Sequence, residues 1–97
     1  MRFSRAVQGR RDANEAEIVA ALLKVGASVD LITTGGGVPD LLVGFRGQTF
    51  LIEVKFGKGK LNAIQTDWHD AWRGTPAVVV HSVDEALKEI GFEQGRP

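Results

Sequence analysis

The sequence contains no cysteine, which excludes a disulfide framework and any thiolate metal site. That absence suits a reducing compartment. No run of about 18 apolar residues is present, so no segment is expected to cross a membrane. Met1 to Arg11 is arginine-rich but has no apolar h-region, so a secretory signal is not expected there. Formal net charge is zero, which argues against a strongly basic nucleic-acid binder. His69 and His81 show neither an HxxxH nor a His-Asp spacing, so each is expected to be an ordinary histidine. Gly35, Gly36 and Gly37 are not followed by a Walker lysine or a G-x-G-x-x-G pattern. They are expected to give a flexible approach to Asp40 that lets another backbone come close.

What is present describes an ordinary globular chain. The 97 residues, 43% hydrophobic and 25% charged, fit one domain with a modest core. Residues 1–13 read as a loose basic arm, and residues 14–92 as a single folded domain without repeats or linkers. The neutral total conceals an uneven distribution. Arg2, Arg5, Arg10 and Arg11 have no acid among them. Arg46, Lys55, Lys58 and Lys60 surround Glu53, whereas Asp84, Glu85, Glu89 and Glu93 gather elsewhere. A basic face able to meet phosphates fits that pattern.

Hydrophobic spacing predicts the element order α-β-β-β-α-β-α, a mixed β-sheet flanked by helices. A helix starts near Asn14, an N-cap residue, with Glu15 and Glu17 in its first turn and Gly26 as its C-cap. Strands are expected over Ser28–Ile32, Asp40–Arg46, Gln48–Phe56 and Ala77–Val80. Helices are expected over Ala63–Trp72 and Val83–Ile90. Trp68 and Trp72, one helical turn apart, are expected in the core. The runs around Leu41–Val43 and Phe50–Ile52 are apolar on both faces, which suits central strands covered on two sides.

Arg46-Gly47 reads as a two-residue hairpin turn. On that register Val43 faces Phe50 and Asp40 faces Glu53. Opposed residues share a face with Cβ atoms about 4.5–5.5 Å apart, and Lys55 shares it through the strand period. Opposed carboxylates repel unless a cation lies between them. Mg²⁺ or Mn²⁺ is the expected occupant, held by Asp40, Glu53 and the carbonyl of Val54. Such an ion acidifies water and stabilises a leaving oxygen, and Lys55 would orient the water or neutralise developing charge.

The pattern Pro39-Asp40-x12-Glu53-Val54-Lys55 resembles the signature of the PD-(D/E)XK nuclease superfamily. The stretches Gly35–Leu41 and Ile52–Lys55, with Gln65 beyond them, more narrowly resemble the virus-type replication-repair nuclease (VRR-NUC) family. Archaeal Holliday-junction resolvases share that plan. The resemblance spans residues 14 to 80 and implies a restriction-endonuclease-like α/β fold. It implies metal-dependent hydrolysis of DNA phosphodiesters, with branched or junction DNA among the substrates and replication, repair or recombination as the setting. It adds Glu15 as a helical acid at the metal site, preferred to Glu17, which lies about 200° around the helix. It adds Gln65 as a helical support for the site. It suggests a phage or prophage setting, and so a cytoplasmic location in a bacterial or phage-infected cell. The alternative is an inactive nucleic-acid-binding module of the same fold. A homodimer with two active sites is expected for so short a chain, with Val83, Leu87, Ile90 and Phe92 as interface candidates.

Overall fold

The computed structural model describes residues 12–92. The basic residues Arg2 to Arg11 lie outside them. Helix α1 (Glu15–Lys24) carries Ile18 and Leu22 on its inner face, both fully buried. It ends where Gly26 takes φ +98°, with the Ala27 amide donating to the Leu22 carbonyl at 3.0 Å. A left-handed residue at this point closes the helix, and glycine adopts it without strain.

Strands β1 (Ser28–Leu31), β2 (Leu41–Phe45) and β3 (Gln48–Val54) follow, then α2 (Ala63–Ala71), β4 (Val78–Val80) and α3 (Val83–Glu89). Elements end one or two residues inside the expected limits, as fraying ends do. Arg46 and Gly47 have φ of +50° and +81°, the pair of positive angles that matches a two-residue turn to strand twist. That turn sets the register: Val43 opposes Phe50 and Leu41 opposes Ile52, so the next pair outward is Asp40 with Glu53. The four strands lie in the order β1-β2-β3-β4, antiparallel except for the parallel β3–β4 pair that α2 connects. The result is the expected mixed sheet with helices, of the restriction-endonuclease-like α/β type.

Alternation along the strands divides the sheet into two faces. Leu41, Val43, Ile52, Val54 and Val80 point to one side and form a core with Ile18 and Leu22 of α1 and Ala86 and Leu87 of α3. The other face is covered only in part by α2, leaving Leu42 39% exposed. The expected two-sided covering is therefore incomplete. No residue of α2 is fully buried. Trp68 is half-buried and Trp72 is exposed, their rings stacked 4.8 Å apart. The core reading of this pair is corrected: among the described residues no second layer lies above α2 on this face.

A second correction concerns α3. Leu87 and Ile90 are buried in the core, and Val83 and Phe92 pack against it. Phe92 meets the Phe45 ring edge-on at 6.4 Å. Leu87 and Ile90 are therefore used by the monomer core and are not available to a dimer patch, whereas Val83 and Phe92 stay partly exposed. Among the described residues no helix is long and apolar enough to cross a membrane.

Candidate active site

Where the hairpin strands reach the open end of the sheet, a cleft of about 390 Å³ is lined by Asp12, Gly35–Gly37, Asp40, Glu53, Lys55, Asn62 and Gln65, among others. Asp40 enters from the start of β2. Its carbonyl accepts from the Ile32 amide at 2.7 Å, tying it to the end of β1. Its Oδ2 accepts from the Val54 amide at 2.8 Å. The Val54 amide lies beyond the last β2–β3 pair, Leu41 with Ile52, and takes a side-chain oxygen as its acceptor. A side chain thus takes over where the sheet ends, and the carboxylate is held beside Glu53.

Glu53 is only 1% exposed. Its Oε2 accepts from Gln65 Nε2 at 3.0 Å. Its Oε1 is buried and finds no hydrogen-bond donor among the described residues. Burial, then the neighbouring Asp40 carboxylate, push its carboxyl up to about 8, against a smaller opposing pull from Lys55; Asp12 adds to the rise. A buried carboxyl beside a second carboxylate keeps its proton to higher pH.

Gln65 is oriented from both sides. Its Oε1 accepts from the Asn62 amide and its own amide donates to Asn62 Oδ1, both at 2.9 Å. That reciprocal pair is a capping box at the start of α2, and it leaves Nε2 facing Glu53. The Asn62-x-x-Gln65 spacing was a readable sign of it. Gly37 (φ +85°) lets α2 come this close: a Cβ there would lie 2.6 Å from the Ile64 carbonyl oxygen. The close approach expected of the glycine run is, at Gly37, an approach to a helix.

Lys55 lines the same cleft, its amide donating to the Val80 carbonyl at 2.9 Å. Across a trans peptide the Val54 carbonyl then points the opposite way, toward the Asp40 edge. Among the described residues no three His, Cys, Asp or Glu side chains are grouped to hold an ion. A cation would need main-chain and water oxygens as well. The residues fit one in that sense: two adjacent carboxylates, an orphaned buried oxygen and a carbonyl on the same edge.

Glu15 is buried and Glu17 is exposed. Glu15 lines an adjoining groove along α1 that shares Asp12 with the cleft; it does not line the cleft itself. Asp12 was missed by sequence reasoning because it sits at the end of a basic stretch, just outside the helical pattern. Asn14 was read as a cap, but its side chain makes no capping bond. It is 9% exposed, and Nδ2 donates to the His81 carbonyl at 2.9 Å and the Lys55 carbonyl at 3.3 Å. Neither histidine lines the cleft. His69 meets Trp68 edge-on, and His81 lies 3.2 Å from Glu85 and 2.9 Å from the Gly59 carbonyl.

The sheet and its helices define the class, an α/β domain of the restriction-endonuclease type, with Asp40, Glu53 and Lys55 lining one cleft. A solved structure described as a VRR_NUC domain matches 81% of this chain and 98% of its own, with a TM-score of 0.64 and 26% identity. The match supports the VRR-NUC resemblance carried by Pro39-Asp40 and Glu53-Val54-Lys55. No family model matches the sequence, and no curated protein matches it.

Proposed function

We propose that this chain is a Mg²⁺- or Mn²⁺-dependent DNA endonuclease that hydrolyses phosphodiester bonds. The observation that carries this reading is the buried Glu53 Oε1, without a donor and beside Asp40, in a cleft that Lys55 also lines. Asp40, Glu53 and the Val54 carbonyl would hold the ion, and Glu15 would assist through water. When bound, the ion supplies an acidified water and positive charge at the phosphate. Lys55 holds the attacking water or offsets charge on the phosphate oxygens. Gln65 keeps Glu53 aimed into the cleft. The VRR-NUC likeness makes branched DNA the substrate to try first.

The test is cleavage of labelled junction, flap, duplex and single-stranded DNA with Mg²⁺, with Mn²⁺ and with chelator. Metal-dependent cleavage that Glu53→Gln removes is the expected result. Binding without cleavage under every metal condition would instead identify an inactive nucleic-acid-binding module. Cutting two strands also favours a two-fold dimer. Light scattering should then give twice the 10.5 kDa chain mass, and a monomer mass at all concentrations would remove the dimer from this reading.

A further inference from the structure

The parallel β3–β4 ladder ends abruptly beside the cleft. The Lys55 amide donates to the Val80 carbonyl at 2.9 Å. One more rung would bring the amide of residue 82 to the Lys55 carbonyl. The chain instead turns at Ser82, which becomes the N-cap of α3 and accepts from the Glu85 amide through its hydroxyl at 3.1 Å. The Lys55 carbonyl is left at the point where the strand stops. Asn14 reaches it from α1, across 41 positions of sequence, and reaches the His81 carbonyl across 67. A primary amide carries two N–H donors, so one NH₂ group can serve both carbonyls.

We infer that Asn14 is a positioning residue for Lys55, replacing the missing rung so that the backbone of Lys55 is held on both its amide and its carbonyl. Residues favoured at a helix N-cap normally turn their side chains to the first-turn amides. Asn14 does not, although the site is the N-cap of α1. It is buried where α1 meets the ends of both strands. It touches none of the reacting groups and acts only through the residue that carries the ammonium. This inference rests on Lys55 acting in the reaction, as proposed above.

The experiment compares the wild-type chain with Asn14→Ala and Asn14→Ser by amide hydrogen exchange, without metal or DNA, and by steady-state cleavage with Mn²⁺. Ser keeps the N-cap preference, but its shorter side chain with a single hydroxyl proton cannot serve both carbonyls, so it separates loss of the bonds from loss of the helix start. In Asn14→Ala, exchange at Lys55 should rise about tenfold beyond any rise at Ile52 in the same strand. The kcat should fall about tenfold to a hundredfold, with KM nearly unchanged, as a small displacement of a catalytic group does. Asn14→Ser should keep the helix start yet show the same excess exchange at Lys55 and the same fall in kcat. Lys55 exchange that only follows Ile52, or an unchanged kcat, would overturn the inference. If the wild-type chain cleaves no DNA, the nuclease reading fails by itself, and the exchange comparison still decides whether Asn14 holds Lys55. If Asn14→Ala does not fold, Asn14→Ser against wild type decides it in the same way.

Discussion

The two faces of the sheet are made from alternate residues of the same strands, yet they behave as different materials. Ile52 and Glu53 are neighbours and almost equally inaccessible, at 0% and 1% exposure. Ile52 is inside because α1 and α3 close over its face. Glu53 is inside beside Asp40 and hydrogen-bonded to Gln65, and burial there raises the pKa of its carboxyl. One face is organised to exclude water from apolar groups. The other brings two carboxyl groups together, and Asp40 adds to the rise at Glu53. Burial alone therefore does not distinguish core from site; the partners of the buried group do.

The sharpest way to break the comparison is Lys55→Ala, on the open face. Cleavage should fall about a hundredfold to a thousandfold, the usual loss on removing one preorganised charge donor. The melting temperature should barely move, since Lys55 lies at a strand end. Retained activity in a cleavage assay would remove Lys55 from the reaction.

Adjacent residues of β2 provide the next contrast. Leu41→Ala should cost about 2–5 kcal/mol, because Leu41 is fully buried and its loss leaves a cavity. Leu42→Ala, on the half-open face, should cost less than about 1 kcal/mol. Urea denaturation of both variants measures the difference, and equal costs would mean that the second face is covered in solution.

Gly37→Ala should be intermediate. Its Cβ would meet the Ile64 carbonyl at 2.6 Å, and the positive φ adds strain. A loss of about 1–3 kcal/mol is expected, together with weaker Mn²⁺ binding as α2 and Gln65 are pushed back. Thermal melts with and without Mn²⁺ check both; wild-type values in both would show that α2 yields without cost.

The smallest effect is a pH dependence. Folding raises the Glu53 carboxyl to about 8, through burial and then Asp40. Between its ordinary range and that value, the folded chain keeps a proton that the unfolded chain has lost. The contribution of this group to stability therefore falls as pH rises through that window and is level above it. A divalent ion would take the place of the proton. The rise in melting temperature caused by Mn²⁺ should thus grow from about pH 6 to about pH 8, by a few degrees. An increment that is flat or shrinks over that range would contradict a cation at Glu53.

How much of this was legible depended on how far each signal reaches along the chain. Arg46-Gly47 determined the hairpin register from two residues, and that register with the period of the strand put Asp40, Glu53 and Lys55 on one face. Gly26 and the spacing of Ile18 and Leu22 likewise determined α1 and its buried side. These are local effects of backbone sterics and side-chain direction, complete within a turn or a strand. Tertiary structure alone decided the rest. It placed Asp12 at the cleft, turned Asn14 away from its own helix toward carbonyls 41 and 67 positions away, left Trp72 on the surface and drew Leu87 and Ile90 into the core. An apolar or amide side chain has the same composition whether its partner is solvent, the core or another strand's last carbonyl. Which partner it meets is settled only when the helices pack and the ladder ends.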